Sequence, residues 1–217
     1  DGVSSSGKSS MAKQLARTVG YRYIDTGAMY RAVTLYALKN HLLEHVENLE
    51  GGMNKIKIDF IVNPGTGRSE TLLNGENVES EIRGMDVSNC VSEISALPFV
   101  RRHLVDIQRS IGKEKGVVMD GRDIGTVVFP DAELKIFVTA TAEVRAGRRY
   151  DELTCRGEKV DYSEILENIK NRDSQDMNRE VSPLRKAGDA IEIDNTFLSV
   201  EEQNIWLLDR FNKTVND

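Results

Sequence analysis

The residues best suited to chemistry form a short segment with the pattern G-x-x-x-x-G-K-[ST]. They are Gly2, Val3, Ser4, Ser5, Ser6, Gly7, Lys8 and Ser9, followed by Ser10. In this pattern the glycines let the backbone curl, so that successive N–H groups point at an anion. The lysine reaches the outer phosphates of a nucleoside triphosphate, and the last hydroxyl contacts Mg²⁺. The segment therefore predicts a phosphate-binding loop.

The residues after the loop supply the structural context that this motif requires. Met11, Leu15 and Val19 recur every four residues, which predicts a helix that ends at Gly20. A chance serine- and glycine-rich turn would not open such a helix. A strand is expected to lead into the loop, and we expect it to lie before Asp1.

Composition excludes several other classes of protein. The 217 residues suit one sizeable domain with small inserts, and the net charge of −6 disfavours a general nucleic-acid binder. We expect no membrane span or signal peptide, and a cytoplasmic location. Two distant cysteines predict reduced thiols, and three histidines form no zinc pattern. A GTP switch is disfavoured because the chain has no N-K-x-D motif.

A small antiparallel insert is predicted between the second helix and the later part of the chain. Ile56–Val62 alternates in polarity, residues 63–67 form a turn cluster, and Asn74-Gly75 is a hairpin signal between two short strands. We expect a subdomain of roughly 30 residues here. A surface excursion without function is the alternative.

The rest of the chain alternates between strands and helices. Tyr21–Asp25, Val117–Met119, Leu134–Val138 and Ala190–Asp194 read as strands, which with the strand before Asp1 makes five. Five strands separated by helices predict a parallel sheet covered on both faces. A helix is predicted after Thr26-Gly27, through Met29, Val33, Tyr36 and Ala37, and ends near Leu43. Further helices are predicted from Asp86 to Ala96, from Pro98 to a stop at Gly116, and from Asp161 to about Arg179. The last helix begins with a capping box at Ser199 and buries Val200, Leu207, Leu208 and Phe211.

Charged residues follow the predicted strands at their carboxyl ends, where ligands bind in open α/β sheets. Asp25 and Arg31 follow one strand, and Asp120-Gly121-Arg122-Asp123 follows the next. Further along are the arginines Arg145, Arg148, Arg149 and Arg156. Each group alone could be a solvated patch. Together they suggest a second phosphorylated ligand and a transferring phosphoryl group, which arginine and Mg²⁺ stabilise.

One predicted helix adds a mixed stripe of side chains. Arg172, Asp176 and Arg179 fall on one face, continuing the line of Ile165 and Ile169. An exposed ion pair is the alternative, and it would contribute only a few tenths of a kcal/mol. An interior stripe of this kind would suit an anion and a sugar hydroxyl.

Four segments carry a resemblance to a known family. They are Gly2–Ser10, Asp25–Arg31, Asp120–Asp131, and Arg172-Asp173 with Asp176–Leu184. They resemble bacterial cytidylate kinases, and the run D-G-R-D-I-G-T-V-V-F-P-D is highly specific to that family. Val3 departs from the family loop, which usually has proline at this place, and this affects only the fine geometry of the loop and its affinity for ATP.

The resemblance implies a fold, a reaction and a set of site residues. The implied fold is an α/β P-loop NTPase fold with three α/β/α layers, a five-stranded parallel sheet, an antiparallel insert and a lid. The implied reaction transfers the γ-phosphoryl group of ATP to CMP or dCMP, with Mg²⁺ held by Ser9 and with Lys8, Arg122, Arg148 and Arg149 as catalytic residues. Residues Gly2–Ser10 would bind ATP. The CMP site would comprise Thr26, Arg31, Arg122 and Arg179 near the phosphate, Ser92, Arg101 and Asp123 at the cytosine, and Arg172 and Asp176 at the pentose.

The same resemblance divides the chain into parts. Residues 1–30, 113–149 and 161–217 would form the core, residues 31–112 the CMP-binding subdomain with its insert at about 55–80, and residues 150–160 the lid. We expect a monomer that binds neither nucleic acid nor membrane. Two alternatives stay open: a P-loop kinase for another nucleoside monophosphate or a small acid, and a non-catalytic ATP-binding regulatory module.

Overall fold

The computed structural model describes residues 1–62 and 69–216. The predicted turn cluster at 63–67 lies outside these described residues. The chain divides into a larger unit, residues 1–24 and 114–217, and a smaller unit, residues 25–113. Strand β1 (Arg22–Asp25) ends at Asp25, the first residue of the smaller unit.

The larger unit contains the phosphate loop and most of the parallel strands. Its elements are α1 (Lys8–Val19), β5 (Val117–Asp120), β6 (Ile136–Thr139), α6 (Ala142–Cys155), α7 (Tyr162–Asn178), β7 (Ile191–Asp194) and α8 (Val200–Asn216). Met11, Leu15, Val138, Ile193 and Leu207 form its hydrophobic core. Helix α1 ends at Gly20, whose φ of 72° fits the left-handed cap that the sequence predicted.

The smaller unit contains α2 (Thr26–Lys39), α3 (Val46–Gly52), β2 (Ile58–Val62), β3 (Ser69–Leu73), β4 (Glu76–Asn77), α4 (Met85–Ala96) and α5 (Pro98–Gly112). Strands β2, β3 and β4 form the predicted antiparallel sheet. Asn74 and Gly75 have φ angles of 52° and 87°, as the hairpin signal requires. The buried residues of α2, α4 and α5 form a second hydrophobic core.

The protein is a mixed α/β structure, but the predicted five-stranded sheet is not confirmed. Among the described residues, β1 pairs with β5, and β6 pairs in parallel with β7, as separate two-stranded sheets. Gly2 adds one parallel bridge to Val138 of β6. Because no described strand lies between β5 and β6, the two pairs are not joined into one sheet.

Some predicted helix boundaries and one burial prediction were wrong. Helix α2 ends at Lys39 rather than Leu43, because the chain turns at Asn40 and His41 adopts a φ of 54°. Helix α5 ends at Gly112, before the predicted stop at Gly116. Val200 is 68% exposed because it is the first residue of α8, where no preceding helical turn lies beside its side chain. Within the described residues, no helix has the length and apolar character to cross a membrane.

Candidate active site

The phosphate loop is a tightly bent segment in front of α1. Ser5 and Gly7 have φ angles of 55° and 86°, and the backbone carbonyl of Gly7 accepts the first hydrogen bonds of the helix. At Gly2 a Cβ atom would lie 2.1 Å from the carbonyl oxygen of Val138, so only glycine fits against β6. Lys8 is buried, and its Nζ donates to the Val3 carbonyl at 3.0 Å. This hydrogen bond holds the ammonium group next to the backbone of the phosphate loop.

Ser9 lies beside a carboxylate that the sequence analysis did not assign to the site. Its Oγ donates to Asp120 Oδ2 at 2.6 Å, and the hydroxyl of Tyr23 donates to Asp120 Oδ1 at 2.7 Å. Asp120 is the last residue of β5 and is buried. A buried carboxylate next to the loop hydroxyl provides oxygen donors of the kind that Mg²⁺ prefers. Its position at the carboxyl end of a predicted strand is the signal from which it could have been found.

The arginine and aspartate residues predicted after β5 and on α7 form one buried cluster. Arg122 Nε donates to Asp176 Oδ2 at 2.8 Å. Arg179, whose side chain is only 5% exposed, lies 3.7 Å from Asp176 Oδ1 and 3.9 Å from Asp123 Oδ1. The predicted stripe on α7 is therefore interior at this end. Burial by itself would raise the pKa of Asp176, but the charges of Arg122 and Arg172, the hydrogen bond from Arg122 and the charge of Arg179 outweigh it and hold that pKa below its usual value.

A second carboxylate, Asp25 in the smaller unit, is held in the ionised form by similar means. Burial would raise its pKa, but the charges of Arg31 and Arg83 and the hydrogen bonds to its oxygens hold it well below its usual value. Asp25 also caps α2 by accepting a hydrogen bond from the Ala28 backbone. The sequence grouped Asp25 with Arg31 after a strand but did not indicate the cap or Arg83.

The lowered pKa values give the protein a defined acid sensitivity. A carboxylate whose pKa is depressed by folding stabilises the folded state above its unfolded pKa, and the effect is lost as the pH falls through the folded pKa. We therefore expect the free energy of unfolding to fall steeply below about pH 4, the ordinary aspartate range. Urea titrations at several pH values measure this free energy. It should depend less steeply on pH for Asp176→Asn than for wild type. The exposed Asp106→Asn is the matched control, and equal slopes for all three proteins would contradict this account.

Arg145 of α6 contacts the phosphate loop. Arg145 donates to the carbonyl oxygens of Ala140 and Ser4 and pairs with Asp173 at 2.7 Å. Asp173 in turn accepts a hydrogen bond from the Ser4 backbone at 3.3 Å. These contacts connect α6 and α7 to the backbone of the loop. Asp173, which lies next to Arg172 in the sequence, was not predicted as a site residue.

The two other arginines predicted to be catalytic differ in their partners. Arg148 donates to the side chain and the carbonyl of Asn195 at 2.9 and 2.8 Å, and Asn195 donates to the Ser6 carbonyl at 2.7 Å. Arg149 pairs with Glu152, one turn further along α6. Arg148 is thus attached to the loop, whereas the ion pair of Arg149 with Glu152 lies within α6. Residues 150–155 of the predicted lid belong to α6.

The remaining predicted site residues lie in the smaller unit. Thr26 and Arg31 occupy the first turns of α2, and Ser92 and Arg101 are buried on α4 and α5. Arg101 donates to the Ser95 carbonyl at 3.1 Å, and its guanidinium lies 5.3 Å from the centre of the Tyr30 ring. Within the described residues the buried Ser92 Oγ has no hydrogen-bond partner, which suits a hydroxyl that binds a ligand.

Comparison with known proteins gives a consistent answer. The cytidylate kinase family model matches residues 1–212. A cytidylate kinase of Bacteroides thetaiotaomicron is 59% identical over 221 residues, covering 100% of this chain and 96% of the relative. Those of Parabacteroides distasonis and Flavobacterium psychrophilum are 57% and 55% identical, covering 99% and 98% of this chain and 96% of each relative. On this evidence the chain belongs to the cytidylate kinase family.

Proposed function

We propose that this protein transfers the γ-phosphoryl group of ATP to CMP or dCMP, giving ADP and CDP or dCDP. The observation that carries the proposal is the buried cluster of Arg122, Asp176, Arg179 and Asp123 in the same unit as the phosphate loop. A loop with its lysine suffices to hold one triphosphate. The additional buried guanidinium groups fit a second phosphorylated ligand, which is the acceptor.

The residues around Ser9 fit a magnesium ion. The Ser9 hydroxyl and the Asp120 carboxylate provide oxygen donors, and the described residues contain no group of three or more histidine, cysteine or acidic side chains that could hold a metal ion. This donor set suits an ion that keeps several waters and takes its other ligands from phosphate oxygens. When bound, Mg²⁺ would neutralise charge on the β- and γ-phosphates. Tyr23 would keep Asp120 oriented toward Ser9.

The protein groups would act on ATP mainly by position and charge. The N–H groups of Gly2–Ser10 would hold the β- and γ-phosphates, and Lys8 would stabilise the negative charge of the phosphoryl group in transfer. Arg148 and Arg149 would exchange their contacts with Asn195 and Glu152 for phosphate oxygens. A lid at about residues 150–160 would exclude water, so that the phosphoryl group passes to CMP rather than to water.

The acceptor would be recognised at three places. Thr26, Arg31 and Arg122 would bind the CMP phosphate, with Arg179 nearby. Arg172 and Asp176 would meet the pentose, and the hydrogen bond from Arg122 would orient the Asp176 carboxylate toward a sugar hydroxyl. Cytosine has an exocyclic amine that Asp123 can accept from and ring acceptors that Arg101 and Ser92 can donate to. Uracil has the opposite hydrogen-bond donor or acceptor at two of these positions. A buried side chain that pairs with cytosine would therefore be left without a hydrogen-bond partner.

Base selectivity gives the direct test of these assignments. We expect Asp123→Ala to lower kcat/KM for CMP by at least about tenfold and to narrow the ratio of CMP to UMP turnover, because the buried reader of the amine is lost. The KM for ATP should not change. Steady-state rates of ADP release with each acceptor measure the change in kcat/KM for CMP and the change in the ratio of CMP to UMP turnover. The exposed Asp131→Ala, in the same sequence motif, is the matched control. An unchanged CMP-to-UMP ratio would contradict the assignment and favour a kinase for another acceptor.

Two finer features belong to the same proposal. We propose that the protein works as a monomer, because one chain supplies every residue assigned to ATP and CMP. We also propose that β1, β5, β6 and β7 are four of the strands of one five-stranded parallel sheet in a three-layer fold. The support for the sheet is an apolar groove lined by Met11, Val118 and Val138, alongside which Gly2 already bridges to β6.

A further inference from the structure

A buried carboxylate in the smaller unit is shared by two guanidinium groups. Asp25 accepts from Arg31 Nη2 at 3.2 and 3.1 Å and from Arg83 Nη2 at 2.7 Å. The Asp25 side chain is 7% exposed, and each arginine side chain is 18% exposed. Contacts this far removed from water are screened little by salt. The geometry of Arg31, the proposed phosphate ligand, is therefore coupled to Arg83.

Arg83 is held on its other side by the antiparallel insert. Its Nε and Nη2 donate to Glu79 Oε1 at 3.0 and 2.8 Å. The second oxygen of Glu79 accepts from the backbone N–H and the hydroxyl of Thr71 at 3.1 and 2.8 Å. Thr71 belongs to β3 and is buried. A continuous series of contacts thus runs from the insert to Arg31, through Thr71, Glu79, Arg83 and Asp25; we call these residues, with Arg31, the Asp25 relay.

The packing around Gly27 shows that the position of Arg31 is confined. A Cβ atom at Gly27 would lie 3.0 Å from Arg31 Nη1 and 3.2 Å from Asp25 Oδ1. The guanidinium and the carboxylate therefore lie directly against the backbone of the first turn of α2. This arrangement leaves Arg31 little room to turn, provided that Asp25 itself stays in place.

We propose that Glu79 and Arg83 are positioning residues for the acceptor phosphate, acting through Asp25 on Arg31; this rests on the proposed CMP kinase function. Arg83 balances the charge of Asp25, so that Arg31 need not do so alone and can also bind a phosphate. Glu79 fixes the direction from which Arg83 approaches. The insert would then contribute to CMP binding through the Asp25 relay.

A simple effect of net charge makes a different prediction. The relay contains two carboxylates and two guanidinium groups, and so carries no net charge. If only charge mattered, removing Arg83 would weaken CMP binding, whereas removing Glu79 would strengthen it. If position matters, both changes weaken CMP binding, because Arg83 needs Glu79 to hold its place. The sign of the Glu79 effect therefore separates the two explanations.

The experiment compares ligands with and without the phosphate. We expect Arg83→Gln and Glu79→Ala each to raise the dissociation constant of CMP about tenfold, the size expected for one weakened charged hydrogen bond. The inhibition constant of cytidine, which lacks the phosphate, and the KM for ATP should stay within about twofold of wild type. Arg102→Gln, at an exposed ion pair with Glu50 in the same unit, is the control. Arg83→Lys keeps the positive charge but lacks the forked guanidinium group. Its dissociation constant for CMP should therefore lie between those of wild type and Arg83→Gln.

Each other outcome decides against the proposal. Tighter CMP binding in Glu79→Ala would favour the charge explanation. Equal weakening of CMP and cytidine would show a general loss of structure, and unchanged CMP binding would show that the relay has no role. If Arg83→Gln does not fold, Arg83→Lys and Glu79→Gln serve in its place, with the same expected signs. If wild type binds CMP no better than cytidine, the proposed function falls as well, which distinguishes its failure from failure of the relay alone.

Discussion

Replacing Lys8 with methionine is expected to lower kcat by about a thousandfold, which is the upper range for removing one preorganised group that stabilises transition-state charge. Lys8 is the first residue of α1, is only 8% exposed, and has its Nζ 3.0 Å from the Val3 carbonyl. Methionine has a similar length and keeps the apolar contacts of the side chain, so the loss should come from the charge. Single-turnover formation of ADP with saturating ATP and CMP measures the effect without product release.

The control for this change is Lys213→Met, at an exposed ion pair on α8. It should leave kcat within about twofold of wild type, as expected for a surface substitution. If Lys8→Met retained more than a tenth of wild-type kcat while remaining folded, the phosphate loop would not be the catalytic loop of this protein.

Replacing Arg122 with glutamine should affect both activity and stability. The variant loses a phosphate ligand, and we expect kcat/KM for CMP to fall by about a thousandfold. It also leaves Asp176, whose side chain is 6% exposed, without its hydrogen-bond partner. Breaking a buried pair by removing one member costs about 3 kcal/mol of unfolding free energy. Steady-state kinetics and urea unfolding of the same preparation measure the two effects.

A double variant separates these two losses. Arg122→Gln with Asp176→Asn replaces the buried pair by two neutral groups, and we expect most of the lost stability to return. Activity should not return, because the guanidinium is still absent. Arg185→Gln, at an exposed position, is the control for each measurement. Recovery of activity together with stability would mean that Arg122 supports the fold and does not contact the substrate.

Short-range interactions determine the parts of the structure that the sequence alone predicted. The turn at Asn74-Gly75 has the positive φ angles that its residues favour. The capping box forms as expected, with Ser199 and Glu202 exchanging hydrogen bonds. Both features depend on residues close together in the chain, whose preferences do not need the rest of the fold.

The parts that sequence did not predict depend on contacts between distant residues. Ser9 and Asp120 are separated by 111 positions in the sequence, and Arg83 and Asp25 by 58. The hydrogen bond within each pair therefore forms only when the chain has folded. Motif spacing placed Asp120 and Asp25 at strand ends but could not say which hydroxyl or guanidinium each would meet. The exposed Val200 shows the converse error, since an apolar residue at a helix terminus was assigned to the core from periodicity alone.

The most direct test of the central claim is ADP release from Mg·ATP by this protein when it is offered CMP, dCMP, UMP, AMP, GMP and shikimate separately. We expect rapid turnover with CMP and dCMP, and at least about tenfold less with UMP, because the buried donor and acceptor groups at the base discriminate against reversed hydrogen bonding. Faster turnover with another acceptor would contradict the assignment of Ser92, Arg101 and Asp123. ATP binding without turnover on any acceptor would contradict the enzyme assignment itself and favour a regulatory module.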